Sequence, residues 1–168
     1  MRERGKDIVI NTGPVIALVA ALGELNLLNC LYNRVLVPYE VCDELTTQNA
    51  SRFAAKEFQT ATGLEKRAES VSPSPLLRKF LDRGEAAVIQ LAMDTGTSTV
   101  CIDEPAGRRI ARMSELSVTG SLGILLRAKN EGYPVTLKEC IARMQERHIH
   151  LSKSLISKVL NDAGEREF

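Results

Sequence analysis

Residues Asp7-Ile8-Val9-Ile10-Asn11-Thr12-Gly13-Pro14 decide the fold. Ile8, Val9 and Ile10 are consecutive β-branched residues with no polar alternation. Such a run reads as a short strand covered on both faces, as at the centre of a parallel sheet. The strand stops at Asn11 and Thr12. Gly13-Pro14 breaks it, and residues 15–22 read as the helix that follows. Pro14 suits a first helical turn, where its missing N–H costs nothing. In open parallel sheets, ligands sit beyond the carboxyl ends of the strands. Asn11 therefore occupies a position where a site residue is expected.

The pattern repeats outward from this stretch. Residues 34–38 and 98–103 read as two further buried strands, the first closed by Pro38 and the second by Asp103. Residues 117–119 read as a fourth strand and 63–71 as an edge strand. Helices are expected over 25–31, 39–46, 51–60, 75–81, 85–94 (ended by Gly96), 104–114, 124–130 (followed by Gly132), 137–146 and 152–160. Asp82-Arg83-Gly84 reads as an interruption between two of them. Ser152 is a plausible N-cap for the last. Strands alternating with helices predict an α/β fold with helices on both faces of the sheet.

The bulk numbers narrow the function classes. The chain has 168 residues, 44% hydrophobic and 26% charged, which suits one soluble domain with a full core. A net charge of +1 excludes a globally basic nucleic-acid binder but leaves room for a local basic patch. Aromatic content of 4% without Trp argues against a base-stacking sheet of the RNA-recognition-motif type. Cys30, Cys42, Cys101 and Cys140 form no C-x-x-C pair, and Cys42 and Cys101 fall inside apolar elements. A reducing, cytoplasmic setting is the expectation. The charged start of the chain lacks the apolar core of a signal peptide. No apolar run approaches the roughly 18 residues of a spanning helix, so no membrane association is expected.

The acids carry the chemistry. Asn11-Thr12 and Asp103-Glu104 end two strands, and Glu44 and Glu85 lie near helix starts. Right-handed crossovers bring the carboxyl ends of parallel strands to one edge. Carboxylates converging there repel unless a cation neutralises them. Hard oxygen ligands suit Mg²⁺ or Mn²⁺, which activate water and clamp phosphodiesters. Each residue also has a plainer reading. Glu85 and Glu104 suit a helix N-terminus, Glu44 suits an exposed helix face, Asp103 suits a helix cap, and Asn11 suits a turn. Arg108, Arg109 and Arg112 share one helix and read either as phosphate contacts or as a solvated basic face. Thr12 offers a hydroxyl to a ligand. Ser121 reads as a capping residue. His148-Ile-His150 lacks a third zinc ligand. No phosphate-cradling Gly-rich motif is present.

Taken together, Ile8-Val-Ile-Asn-Thr-Gly-Pro14, Val35-Leu-Val-Pro-Tyr-Glu-Val-Cys-Asp-Glu-Leu45, Gly84-Glu-Ala-Ala-Val-Ile-Gln-Leu-Ala92, Cys101-Ile-Asp-Glu104, Arg108-Arg-Ile-Ala-Arg112, Val118-Thr-Gly-Ser-Leu-Gly-Ile-Leu-Leu-Arg-Ala-Lys129 and Ala163-Gly-Glu165 resemble the PIN-domain family. These are metal-dependent ribonucleases, many of them toxins of VapC-type toxin–antitoxin pairs, and the motifs point to an uncharacterised PIN-like subfamily. The resemblance implies a three-layer α/β/α sandwich around a mostly parallel sheet of about four to five strands. One domain over residues 1–168 is expected, with the helices at about 137–163 packed on it. By the same resemblance, Asn11, Glu44, Glu85 and Asp103 map onto the catalytic metal ligands, with Glu104 as an additional acid, for Mg²⁺ or Mn²⁺. Asn11 departs from the family's usual Asp. It supplies an amide oxygen without charge. The implied activity is hydrolysis of RNA phosphodiesters, with Arg108, Arg109, Arg112 and Thr12 as RNA contacts. An antitoxin partner and a homodimer are further implications. The alternative is a degenerate PIN fold that binds RNA or a protein without cleaving. A receiver-like signalling module is a distant rival, because Lys129 falls within an expected helix rather than on a strand.

Overall fold

The computed structural model describes residues 6–47 and 53–165. Strand β1 (Ile8–Ile10) is followed by α1 (Thr12–Leu22) and α2 (Asn26–Leu31). Strand β2 (Val35–Val37) leads to α3 (Tyr39–Thr46) and α4 (Ala55–Thr60). Strand β3 (Leu64–Lys66) leads to α5 (Pro75–Phe80) and α6 (Arg83–Thr95). Strand β4 (Thr99–Cys101) leads to α7 (Pro105–Met113), and β5 (Ser117–Thr119) to α8 (Ser121–Asn130), α9 (Leu137–Glu146) and α10 (Lys153–Asp162).

The five strands form one sheet in the order β3-β2-β1-β4-β5, and every pairing is parallel. Ile8, Val9 and Ile10 pair with Thr99, Val100 and Cys101 on one side, and Ile8 and Val9 with Val35 and Leu36 on the other. The β-branched runs thus lie at the sheet centre, with no exposed surface on β1 or β2. Helices cover the sheet to give the α/β/α sandwich. Helix α6 packs on β1 and β4, and α7 on β5. Helix α1 packs against α3, α8 and α9, and α10 joins α8 and α9. No helix among the described residues is long and apolar enough to cross a membrane.

The strand order places the site. From β1 the chain moves outward to β2 and β3, then returns to start β4 on the other side of β1. The direction of winding therefore reverses between β1 and β4. Ligands of open α/β sheets bind outside the carboxyl ends at such a switch point. Asn11 follows β1 directly, and Asp103 and Glu104 follow β4.

Several helices start earlier than the sequence pattern suggests. Helix α1 begins at Thr12, because the Asn11 carbonyl already accepts the Val15 N–H. Gly13 and Pro14 lie inside its first turn rather than before it. Helix α6 begins at Arg83. Asp82 is its N-cap, so Asp82-Arg83-Gly84 starts a helix instead of merely interrupting one. Helix α8 begins at Ser121. Of the helix expected over 51–60, residues 51–52 lie outside the described residues, and the observed helix begins at Ala55 after Ala54 in a left-handed conformation. The edge strand expected over 63–71 shortens to β3; the Arg67 N–H still reaches the Val37 carbonyl, and the chain then leaves the sheet. Ser152 caps α10, its Oγ accepting the Leu155 N–H.

Candidate active site

Asn11 is the N-cap of α1 and is buried. Its backbone is tied to both neighbours: its N–H donates to the Cys101 carbonyl, and its own carbonyl accepts from Val15. Its side chain makes no capping hydrogen bond. The amide is thus held at the switch point by backbone geometry alone, with its polar head uncommitted.

Glu44 reaches the same place from the last turn of α3 rather than from near its start, the first-turn acid of that helix being Glu40. Thr12, the first residue of α1, donates its hydroxyl proton to Glu44 Oε2 at 2.6 Å. Gly84, in the first turn of α6, completes this corner. A methyl group on Gly84 would sit 2.8 Å from Glu44 Oε1 and 3.1 Å from Asn11 Oδ1. Both distances are shorter than ordinary contact. The missing side chain therefore keeps open a space that the two oxygens share.

Glu85 follows Gly84 and is 5% exposed. It forms a capping box with Asp82: the Glu85 N–H donates to Asp82 Oδ1 at 2.8 Å, and the Asp82 N–H donates to Glu85 Oε2 at 3.4 Å. The helix-start reading of Glu85 is therefore correct, and it coexists with a place among the acids. Burial pushes its carboxyl above the ordinary range. The charge of Asp82 adds to this, the Asp82 N–H opposes it, and Glu104 and Glu44 raise it further. The charges of Asp82, Glu104 and Glu44 thus all act in the same direction on the one Glu85 carboxyl.

Asp103 does not cap the helix that follows it. Glu104 holds the N-cap position of α7. Asp103 Oδ1 instead accepts the Ser121 N–H at 2.8 Å, tying the end of β4 to the start of α8. Gly120 leaves room for this bond, since a methyl there would lie 2.6 Å from Asp103 Oδ1 and 3.0 Å from Arg108 Nη1. Ser121 is buried and contributes its backbone rather than its hydroxyl. Glu104 is exposed at the rim.

The arginines of α7 divide. Arg108 is half-buried, and its Nη1 donates to the Ile102 carbonyl at 2.8 Å. It stands beside Asp103 and has further N–H groups to offer. Arg109 and Arg112 are exposed. Thr12 has its proton committed to Glu44 and so orients an acid. His148 and His150 are both exposed and outside this edge.

Two residues were absent from the expectations. Asp82 belongs to the electrostatic group around Glu85, and Asp-x-x-Glu before a helix is the capping-box signature that marks it. Glu40, one turn before Glu44 on α3, is buried; its Oε1 accepts the Val71 N–H at 3.1 Å, and its Oε2 has no hydrogen-bond partner among the described residues. Glu40 sits between Tyr39 and Val41 at a helix start, where an acid is ordinarily read as a solvent-facing first-turn residue.

The donor set is wholly oxygen: one amide and several carboxylates around an open edge. Among the described residues, no three acidic, His or Cys side chains close on one point as a finished metal site. The chemistry of the set nevertheless fits a hard divalent cation. Its donors are oxygens, and Gly84 and Gly120 keep the approach clear.

A family model described as a PIN domain matches residues 7–165 of the chain. No curated protein matches it. The match covers the switch-point sheet, all five residues of the acid edge and the closing Ala163-Gly164-Glu165 turn. The chain belongs to the PIN-domain family, whose fold is of the nuclease type.

Proposed function

We propose that the protein is a metal-dependent ribonuclease that hydrolyses RNA phosphodiesters at the edge between β1 and β4. The observation that carries this reading is the corner at the switch point where Glu44 Oε1 and Asn11 Oδ1 border one space kept open by Gly84, with Glu85 next in the chain and Asp103 following β4. Asn11, Glu44, Glu85 and Asp103, with Glu104, would hold Mg²⁺ or Mn²⁺. The bound ion would supply Lewis-acid activation of water and charge neutralisation at the phosphate.

The residues themselves have distinct tasks. Thr12 fixes the Glu44 carboxylate, and the Ser121 N–H fixes that of Asp103. The Asp82 N–H holds one oxygen of Glu85 and so sets how its carboxylate is presented. Arg108 presents its free N–H groups to a phosphate oxygen while the Ile102 carbonyl pins its guanidinium. Arg109 and Arg112 lie along the same helix and attract the backbone of the RNA.

The test is cleavage of a labelled RNA with Mn²⁺ by wild type and by Asp103→Asn. Loss of cleavage in the variant is expected; equal rates would sink the assignment. The physiological role we propose is that of a toxin restrained by an antitoxin encoded beside it, with a homodimer as the working form. Co-purification with the neighbouring gene product and light scattering test these two points.

A second reading has one observation in its favour. Asn11 brings no charge, and its side chain makes no capping hydrogen bond. On that reading the fold binds RNA or a protein without cleaving it. Cleavage by the wild-type chain would exclude it.

A further inference from the structure

Helix α5 carries two apolar stripes at helical spacing. Leu77 and Leu81 face inward, at 2% and 9% exposure. Leu76 and Phe80 face outward, at 61% and 57%. The inner stripe explains why the segment packs. The outer one contributes nothing to the core.

The outer stripe is flanked by cations. Lys79 Nζ lies 5.6 Å from the centroid of the Phe80 ring. Arg78 lines a cleft of about 430 Å³ together with Glu40, Val71, Pro73, Asp82 and Arg83. Arg34, Arg83, Arg127 and Lys129 each pair with a carboxylate. Among the described residues, Arg78 and Lys79 do not.

Position connects this patch to the acids. Helix α6 precedes β4, so its N-terminus lies at the carboxyl edge of the sheet. Phe80 and Leu81 lead straight into that N-terminus, where Asp82, Gly84 and Glu85 sit. Helices α5 and α7 both pack on α6. Helix α7 lies toward β5, and the cleft beside α5 opens toward α3, which follows β2. The basic helix α7 and the basic, aromatic helix α5 thus flank the acid edge.

We infer that α5 is a platform for single-stranded RNA: Phe80 stacks an unpaired base, Arg78 and Lys79 take the flanking phosphates, and the strand crosses the acid edge between α5 and α7. An aromatic face beside cations is how single strands are held without sequence readout. A protein interface needs about 800 Å² from each partner, and one Leu and one Phe supply a fraction of that. The inference rests on reading the acid edge as the place where RNA is processed.

The experiment measures binding apart from cleavage. A fluorescent single-stranded 2′-O-methyl oligonucleotide, resistant to hydrolysis, is titrated with the full chain in EDTA. Phe80→Ala is expected to weaken binding by roughly tenfold or more, and Phe80→Trp to preserve it. Arg78→Ala with Lys79→Ala is expected to weaken binding and flatten its salt dependence. A duplex of the same sequence is expected to show no dependence on Phe80. Thermal melts establish that the exposed substitutions leave the fold intact. Binding that is unchanged in Phe80→Ala and in the double variant overturns the platform. So does a wild-type dimer that Phe80→Ala dissociates, which would make the stripe a contact between copies. Phe80-dependent binding by a chain that cleaves nothing with Mn²⁺ supports the platform and sinks the nuclease reading alone. Cleavage by a chain whose binding ignores Phe80 does the reverse.

Discussion

Thr12 donates a 2.6 Å hydrogen bond to Glu44 across 32 positions of sequence, joining the first residue of α1 to the last turn of α3. Both carboxylate oxygens border the space that Gly84 keeps open beside Asn11, Oε1 the closer. The bond to Oε2 fixes how the Glu44 carboxylate is turned toward that space.

Removing it should therefore act on metal affinity more than on folding. Thr12→Val keeps the shape and deletes the donor. Losing an outer partner of a metal ligand typically costs about 10- to 100-fold in affinity or activity. We expect a loss in that range in the Mn²⁺ dependence of cleavage, with Thr12→Ser close to wild type. A Thr12→Val enzyme with an unchanged Mn²⁺ requirement would remove Thr12 from this role.

Glu85 makes stability depend on pH in a stated direction. Its folded-state carboxyl titrates above the ordinary value, chiefly through burial and then through Asp82, Glu104 and Glu44. The protonated form therefore contributes stability below the unfolded pKa, and that contribution is lost as pH rises through the folded pKa. Glu85→Gln keeps the neutral form, and its amide oxygen can still accept the Asp82 N–H. Without divalent ions, the variant should melt a few degrees above wild type at pH 8 and close to it at pH 4. Adding Mg²⁺ should raise the Tm of wild type more than that of the variant. An advantage that grows as pH falls would reverse the sign and refute the account.

The sheet was legible because it follows from composition over three-residue runs. Ile8–Ile10 and Val35–Val37 carry no polar residue, and only a strand covered on both faces tolerates that. The placement of Asn11 and Asp103 at one edge was legible for a related reason, since the ends of parallel strands share an edge whatever the details. Helical phase was harder to read. Arg108 turns inward to the Ile102 carbonyl while Arg109 and Arg112 face solvent. In a helix with an arginine at three of five successive positions, the sequence offers no way to choose between them. Leu76, Leu77, Phe80 and Leu81 pose the same ambiguity, with two apolar stripes for one buried face. Asp82 is different, because its capping box was written in the sequence but read as a break.

Glu165 ties the segment after α10 to two other helices. Its Oε2 accepts from Lys129 Nζ at 2.7 Å and from the Leu137 N–H at 2.8 Å, and its Oε1 from the Lys138 N–H at 3.0 Å. One carboxylate thus caps α9 and pins α8 to the end of the chain. Burial works against its charge, but the Lys129 bond and the two N–H groups outweigh it and hold the carboxyl below the ordinary range. This stability is present above the unfolded pKa and is lost as pH falls through the folded pKa. Hydrogen bonds to charged groups contribute about 1.5–3 kcal/mol. Glu165→Ala should therefore lower stability by about that amount at pH 7 and by much less below pH 4. An equal loss at both values would show that the charge is irrelevant.

Asn11→Asp tests the one position where the site lacks charge. The side chain is buried and its head makes no cap bond, so a carboxylate there adds repulsion against Glu44 with nothing to relieve it. In EDTA the variant should unfold more easily, by about 1–3 kcal/mol, the usual cost of a poorly compensated buried polar group. With a divalent ion present the sign should change, because a second carboxylate at the Gly84 corner binds a hard cation better than an amide does. The increase in Tm on adding Mg²⁺ should exceed that of wild type, and Mn²⁺-dependent cleavage should rise. If the added charge destabilises the fold and Mg²⁺ fails to restore it, then Asn11 faces no cation, and the amide serves the end of β1 rather than the chemistry of the edge.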